Sequence, residues 1–84
     1  MQAFLEFVVS GLVKHPESVS VTRVDQGRST LYELRMNPED VGKVIGRSGM
    51  TISAIRTLAQ LGAAHKGARC SVEIIEDRPR RGDR

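Results

Sequence analysis

Residues 37–58 read NPEDVGKVIGRSGMTISAIRTL, and the predicted fold follows from this segment. Asn37 is a good helix cap and Pro38 suits a first helical turn, so a short helix is predicted to begin here and to end near Ile45. Residues 46–49, Gly-Arg-Ser-Gly, then form a tight link because glycine at both corners permits backbone angles that other residues resist. The sequence therefore predicts two helices joined by a very short turn.

The second of these helices is predicted from about Met50 to Gly62. Residues 63–68 are predicted to form a loop. The face of this helix that is expected to be buried consists of apolar residues at helical spacing: Ile52, Ile55, Leu58 and Ala59, with Leu61 at the end of the helix.

One helix and two strands are predicted before this centre, and one strand after it. Residues 2–14 carry apolar side chains at three- and four-residue spacing, and Pro16 ends the helix. Residues 18–25 and 29–36 alternate apolar with polar side chains and are separated by a short glycine-bearing turn, which is typical of an antiparallel hairpin. Residues 69–76 give the third strand.

The predicted order is therefore α-β-β-α-α-β, which indicates an α+β fold with a three-stranded mixed sheet and helices packed on one face. A crossover through two helices should make the second and third strands parallel neighbours, with the first strand at the far edge. With 84 residues the chain has room for one domain, expected over residues 1–77, followed by a basic, disordered tail over 78–84.

Charge is unevenly distributed along the chain. The net charge is +3, yet residues 41–72 contain five basic side chains and no acidic one. Such a stretch indicates a positive surface suited to a polyanion, or else five ordinary solvated side chains, and charge alone does not separate the two. The tail RPRRGDR either adds non-specific attraction to phosphates or aids solubility.

Several classes of site are disfavoured by composition. The single cysteine, Cys70, allows no disulfide within the chain, and the isolated His15 and His65 have no second ligand at metal spacing, so no metal or other cofactor is expected. Ser48 has no nearby base or acid in sequence, which argues against an enzyme. No signal peptide or membrane span is expected at the start of the chain, and a reducing, cytoplasmic location fits best.

The residues in and beside the glycine-bounded turn carry positive charges and a hydroxyl group. Arg47 supplies a mobile positive charge, Ser48 a hydroxyl, and Lys43 stands one turn earlier. The first amides of the following helix are expected to point outward with the helix dipole behind them. Such a turn suits a sugar-phosphate backbone, and it lacks the GxxxxGK[ST] pattern that holds a nucleoside triphosphate.

The motif VIGRSG between two short helices resembles the signature of the KH domain, a nucleic-acid-binding module with a GxxG loop. The extra helix and strand before the core resemble the type II, mainly bacterial, arrangement. The stretches ELRMNPEDVGKVIGRSGMTISAIRTL and SVEIIE are similar to the KhpA family of small bacterial RNA-binding proteins that consist of a single KH domain. The resemblance covers about residues 1–77.

This resemblance implies a binding mode. The loop would contact the backbone of about four nucleotides of single-stranded RNA, and the bases would lie in an apolar groove between the helices and the third strand. The scarcity of aromatic residues agrees with bases held by apolar contact and strand backbone rather than by stacking. The RNA-binding residues implied are Lys43, Ile45, Gly46, Arg47, Ser48, Gly49, Met50, Thr51, Ile52, Arg56, Val72 and Ile74.

The resemblance also implies partners. Proteins of this family form homodimers, and heterodimers with a larger KH-domain RNA-binding protein. They are linked to RNA regulation or chaperoning and to cell elongation and division. The alternative is a protein-interaction adaptor whose main role is docking that larger partner. RNA targets, base preference, selection of RNA over single-stranded DNA and the dimer surface are not readable from the residues.

Overall fold

The computed structural model of the chain describes residues 1–76. Residues 77–84 lie outside this part, so the predicted domain end and the predicted basic tail stay predictions. The helices and strands are α1 (Gln2–Leu12), β1 (Ser20–Asp25), β2 (Thr30–Arg35), α2 (Val41–Ile45), α3 (Met50–His65) and β3 (Cys70–Ile74). Short 3-10 turns occur at Pro16–Ser18, Pro38–Asp40 and Arg47–Gly49.

The sheet has the predicted topology. Its order is β1-β2-β3. β1 pairs antiparallel with β2, so that Val21 lies opposite Leu34, and β2 pairs parallel with β3, so that Tyr32 lies opposite Val72. The predicted α+β class, element order and mixed three-stranded sheet are thus confirmed for the described residues. β3 forms one edge of this sheet.

All three helices cover the same face of the sheet. Leu34 of β2 is fully buried at the centre of the core. The side chains packed around it come from every helix and strand: Leu5, Val9, Val21, Tyr32, Met36, Val44, Ile52, Ile55, Ala59 and Val72. Burying apolar side chains between the two layers is the main stabilising contribution in a domain of this size.

The helix α1 ends at Leu12, two residues before its predicted end. Val13 is already extended, and Pro16 begins a 3-10 turn. The backbone N–H groups of Lys14 and His15 donate to the Asp40 carboxylate, at 3.0 and 2.9 Å. Because these two amides donate to an acceptor outside the helix, α1 ends at Leu12, before the position at which Pro16 would end it.

The helix α3 is longer than predicted and ends at His65 rather than Gly62. Gly62 lies inside the helix, half-buried, and a Cβ there would lie 3.2 Å from the Met1 side chain. The stop signal is Gly67, with φ of +74°. The N–H of Ala68 donates to Ala63 O and that of Gly67 to Ala64 O, both at 2.9 Å, which is a Schellman motif.

The buried face of α3 also differs from the prediction. Ile52, Ile55 and Ala59 are buried as expected, but Leu58 and Leu61 are 52% and 63% exposed. The buried residue in the last turns is Ala63. At this end of α3 the small Ala63 faces inward and the two leucines remain outside.

The hairpin between β1 and β2 has a four-residue connection, residues 26–29, rather than the predicted three. Gly27 has a φ of +82°, and the Gln26 N–H donates to Ser29 O at 2.9 Å. Leu31 lies outside the core cluster, yet it is only 9% exposed. Within residues 1–76, the helices are too short or too polar to cross a membrane.

Candidate nucleic-acid interface

The loop between α2 and α3 turns sharply at its two glycines. Gly46 has φ +78° and ψ 176°, and its N–H donates to Gly42 O at 2.9 Å, which caps α2. Ser48 and Gly49 follow with φ of +56° and +74°, both in the left-handed region. The chain thus passes from one helix to the next through three residues of positive φ, a conformation that glycine adopts without strain.

Gly46 is required for space as well as for its backbone angle. A Cβ added there would lie 2.7 Å from the Cβ of Thr51, closer than real side chains approach. At Gly49 nothing lies within 4 Å of such an atom. Thr51, one of the predicted RNA-binding residues, is half-buried against Gly46 and therefore fixes the shape of the loop.

The tip of the loop is open to solvent. Arg47 and Ser48 are exposed, and neither side chain makes a hydrogen bond or ion pair within residues 1–76. The two amides that follow are used inside the turn, since Gly49 N–H donates to Gly46 O at 3.1 Å and Met50 N–H donates to Arg47 O. The expected outward-pointing amides are therefore not found at these two positions, because a 3-10 turn precedes α3.

The apolar residues predicted around the loop fall into two groups. Ile45 and Met50, on either side of it, are 36% and 68% exposed. Ile74 is half-buried. Ile52 and Val72 are buried, at 5% and 2%, so both residues belong to the core.

Asp40 anchors the start of α2, a role that the sequence did not indicate. Its side chain is fully buried, accepts the backbone N–H groups of Lys14 and His15, and lies 3.6 Å from Lys43 Nζ. Burial raises the pKa of the Asp40 carboxyl, but the two amide donors and the nearby positive charges outweigh burial, so its pKa is lowered. A buried carboxylate thereby ties the end of α1 to the helix that carries the loop.

Asn37 has the capping role that the sequence predicts. Its Oδ1 accepts the Glu39 N–H at 2.9 Å. The residues after this cap form a 3-10 turn, Pro38–Asp40, and α2 begins at Val41. The capped turn and the buried Asp40 together fix where α2 starts, and hence where its last turn presents Lys43 and the loop.

Arg56 connects α3 to the edge of the sheet. The sequence assigns it to the outward face of α3, and it is exposed there. Its Nε donates to the carbonyl oxygen of Val72 at 3.0 Å, across 16 residues of sequence. No sequence signal indicates this contact, since it depends on where β3 passes beside α3.

The five basic residues of 41–72 are not all gathered at the loop. Lys43 in α2 and Arg47 lie near the loop, Arg56 lies near the middle of α3, and Lys66 and Arg69 follow the end of α3. A helix of 16 residues is about 24 Å long. The positive charge therefore extends over the length of α3, which modifies the expectation of one compact surface.

The profile of the KhpA/KhpB KH domain matches residues 2–74. The chain belongs to the KhpA/KhpB KH-domain family. The match spans every helix and strand described above, so the α+β fold with its mixed sheet is a type II KH fold. The turn at residues 46–49 has the sequence Gly-Arg-Ser-Gly and lies between α2 and α3.

Curated relatives of the KhpA/KhpB family agree with this assignment. The chain is 45% identical over 73 residues to "RNA-binding protein KhpA" of Leifsonia xyli, covering 87% of this chain and 93% of that protein. It is 40% identical over 78 residues to the protein of the same name from Chlamydia caviae, covering 93% and 100%. The Clostridium acetobutylicum protein is 41% identical over 75 residues, covering 89% and 100%. No solved structure matches the chain.

This member of the KhpA/KhpB family also has a cavity of about 490 Å³ at the other end of α3. Phe4, Tyr32 and Leu58 contribute apolar walls. Its other lining residues include three basic side chains and the one thiol: Arg23, Lys66, Arg69 and Cys70. Burial raises the pKa of the Cys70 thiol, which disfavours the reactive thiolate there.

Proposed function

We propose that this chain binds single-stranded RNA through the loop at residues 46–49, without catalysing a reaction. The loop grips the sugar-phosphate backbone, and the bases lie toward the exposed edge of β3. The observation that carries the proposal is the solvent-exposed pair Arg47 and Ser48, held at the tip of a turn of positive φ and free of partners within residues 1–76. The family membership and the names of the curated relatives support the same function.

The surroundings of the loop support a backbone grip. Ile45 and Met50 offer exposed apolar surface on both sides of the loop, against which the sugar or base of a nucleotide can lie. Lys43 is 51% exposed and sits one turn before the loop. A cation, a hydroxyl and small backbone corners together suit a chain of phosphates, for which about four nucleotides are expected per KH domain.

The test is a double variant of the loop, Arg47→Asp with Ser48→Asp. It places two negative charges where a phosphate should sit, and neither wild-type side chain supports the fold. We expect loss of RNA binding, measured as a rise of at least about tenfold in the Kd of a fluorescent single-stranded oligonucleotide. The circular dichroism spectrum and unfolding midpoint should stay near those of the wild type.

A matched control has the same change of net charge at the other end of α3. The control is Ala64→Asp with Lys66→Asp. Both positions are exposed; Ala64 lies in the last turn of α3 and Lys66 directly follows the helix. This control should bind RNA far more tightly than the loop variant. Equal Kd values for the loop variant and the wild type would remove the loop as the RNA site.

The second candidate is a docking role, and exposed apolar side chains favour it. Phe7, Leu58 and Leu61 are 79%, 52% and 63% exposed on α1 and α3. Such exposed apolar side chains suit a protein partner, either a second copy of this chain or a larger KH-domain protein. A homodimer would join two weak RNA grooves and raise affinity through avidity.

The docking role is tested with Leu58→Asp together with Leu61→Asp. Both side chains are outside the core, so the fold should survive. We expect the mass measured by sedimentation to fall to that of a monomer and RNA affinity to weaken through lost avidity. An unchanged mass would mean that these leucines do not form the pairing surface.

In the cell, we infer that RNA binding serves post-transcriptional regulation or RNA chaperoning in the cytoplasm, in a pathway linked to elongation and division. The support for this role is the family resemblance. Crosslinking the protein to RNA in living bacteria, followed by identification of the crosslinked peptides, tests it. Crosslinks concentrated in residues 43–56 are expected; their absence from this segment would contradict the proposed site.

A further inference from the structure

The cavity at the end of α3 that is remote from the loop is built on the sheet. The strand register places Arg23 of β1 opposite Tyr32 of β2, and Thr30 of β2 opposite Cys70 of β3. Residues that lie opposite one another, or two apart on one strand, point to the same face of a sheet. Because Tyr32 belongs to the core, these four residues face the helices, and all four line the cavity of about 490 Å³. The cavity is therefore a gap between the sheet and the ends of the helices.

The hydroxyl group of Tyr32 has no partner in the described part of the protein. The residue is only 8% exposed, yet its side chain makes no hydrogen bond within residues 1–76. No fully enclosed side-chain oxygen in this part of the chain lacks a partner, so the Tyr32 Oη must reach the open space of the cavity. A buried tyrosine hydroxyl is normally hydrogen-bonded. The cavity is thus faced by an unused hydrogen-bonding group on a side chain that is otherwise buried.

The cavity is lined by three cations and, within residues 1–76, by no acidic side chain. Lys66 and Arg69 make no ion pair or side-chain hydrogen bond in this part of the chain. Arg23 pairs with Asp25 at 3.2 Å, and its guanidinium has N–H groups left for a second partner. Burial raises the pKa of the Cys70 thiol, so the thiol adds no negative charge at neutral pH. The cavity therefore carries uncompensated positive charge.

The walls of the cavity are apolar and leave room for a ring. Gly62, Ala63 and Ala68, at and after the end of α3, line the cavity with small side chains that do not fill it. Phe4 of α1 also lines the cavity and is 41% exposed. An accessible aromatic ring beside cations is a surface on which a planar group stacks well.

These features select a ligand by its charge and its shape. Two unpaired cations, and a third with spare donors, match the roughly two negative charges of a phosphate monoester better than the single charge of a carboxylate. Phe4 suits a planar ring, and the Tyr32 hydroxyl suits a polar group beside that ring. A cavity of about 490 Å³ has the size of sites that hold one small molecule. A nucleoside monophosphate has all of these parts: a phosphate, a planar base and a polar ribose.

We propose that the cavity at the end of α3 is a binding site for a free nucleoside monophosphate. The phosphate contacts Lys66 and Arg69, the base lies against Phe4, and the Tyr32 hydroxyl makes a hydrogen bond with a polar group of the ligand. The site is distinct from the loop at residues 46–49, since the length of α3, about 24 Å, separates the two. The inference therefore goes beyond the proposed RNA-binding function and does not rest on it.

The experiment titrates the full chain with adenosine 5′-monophosphate and, separately, with adenosine and with inorganic phosphate. Amide shifts in NMR spectra give the Kd of each ligand and locate it on the chain. We expect saturable binding of the monophosphate, at least about tenfold tighter than that of adenosine or of phosphate, because the phosphate and the ring are held together. The amides that shift should include those of residues 66–70 and not those of residues 46–49.

Two variants and a matched control test the residues of the site. Ala68→Glu places a carboxylate in the cavity and should weaken monophosphate binding by at least about tenfold, because it repels the phosphate and pairs with the cations. Ala64→Glu is the matched control: both alanines are exposed, but Ala68 lines the cavity and Ala64 does not, so the Kd should stay unchanged. Tyr32→Phe removes only the hydroxyl and should weaken binding by about threefold or more. Its unfolding midpoint should stay near that of the wild type, because the hydroxyl has no partner within residues 1–76.

Four results would overturn the inference: no saturable binding of the monophosphate, inorganic phosphate or adenosine that binds as tightly as the monophosphate, equal Kd values for the two glutamate variants, or a Tyr32→Phe variant with the wild-type Kd. In each case RNA binding through the loop would stand.

The loop variant, Arg47→Asp with Ser48→Asp, separates the two sites. It should lose RNA binding and keep the wild-type Kd for the monophosphate, whereas Ala68→Glu should lose the monophosphate and keep the wild-type Kd for a single-stranded RNA. Loss of the monophosphate in the loop variant alone would place the nucleotide at the loop and would also overturn the inference. Failure of the proposed function gives a different result, since the loop variant would then bind RNA as the wild type does.

Discussion

At the scale of single residues, the shape of the loop depends on a glycine, which has no side chain. Gly46 combines a φ of +78° with contact against Thr51, so that both its backbone angle and its lack of a Cβ are needed. Gly42, only four residues earlier, sits in α2 with nothing within 4 Å of an added Cβ. Two glycines one helical turn apart therefore have opposite structural requirements.

This contrast gives a stability prediction. Gly46→Ala should lower the free energy of unfolding by about 1–3 kcal/mol, because the new methyl group meets Thr51 and the residue must keep a left-handed conformation. Gly42→Ala should leave stability unchanged or raise it by up to about 1 kcal/mol, because alanine is the better helix former. Urea unfolding of both variants measures the difference, and equal midpoints would contradict the role assigned to Gly46.

At the scale of elements, Asp40 decides how α1 and α2 meet. Two consecutive amides beyond the end of α1 and one buried carboxylate at the start of α2 form a connection across 25 and 26 residues. Because α2 leads directly into the loop, this connection fixes the position of the loop relative to the core. We expect changes at Asp40 to affect both stability and the geometry of the loop.

The pKa of Asp40 gives the pH dependence of this connection. Because that pKa is lowered in the folded state, the contribution of the carboxylate to stability is complete above the unfolded pKa of about 3.9 and is lost as the pH falls through the folded pKa. Asp40→Asn keeps the size of the side chain, but its single amide oxygen can accept from only one of the two backbone N–H groups. The other N–H group would then face the NH₂ group of the asparagine, which is also a donor. We expect it to be less stable than the wild type at neutral pH, with the difference shrinking below about pH 4.

Chemical denaturation across a pH series measures this effect. Glu6→Gln is the matched control, since Glu6 is an exposed carboxylate of α1 with no hydrogen bond or ion pair among the described residues. A gap between wild type and Asp40→Asn that stays constant down to acid pH would show that the ionised carboxylate is not what stabilises the connection.

At the scale of the whole molecule, cations and exposed apolar side chains lie at both ends of α3. Arg47 precedes the exposed Met50 at the loop, and Lys66 lines the cavity with Leu58 at the other end. Under the proposed function, only the cations near the loop contact the phosphates of the RNA. RNA affinity should therefore depend on a few phosphate contacts rather than on total charge.

The salt dependence of RNA binding tests this. With two or three phosphate contacts, a plot of log affinity against log salt concentration should have a slope of about −1.4 to −2.1. Arg47→Ala should make the slope less steep by about 0.7, the value for one contact to single-stranded nucleic acid, while Arg23→Ala should leave it unchanged. Slopes that are equal in all three proteins would mean that Arg47 contacts no phosphate.

The features that depend on near neighbours along the chain could be predicted from the amino-acid sequence. The cap at Asn37, the glycine-bounded turn, the alternation in β1 and β2 and the resulting order of elements all rest on interactions within a few residues, which a sequence pattern records directly. The Schellman motif that ends α3 at Gly67 is also local, and the predicted end at Gly62 is wrong.

Contacts between distant segments could not be predicted in this way. The burial of Asp40 beneath the end of α1, the reach of Arg56 to Val72 and the exposure of Leu58 and Leu61 depend on how the helices lie over the sheet. They depend on how side chains of distant segments fit together and on which backbone groups lack a local partner. Neither produces a repeating pattern in the sequence.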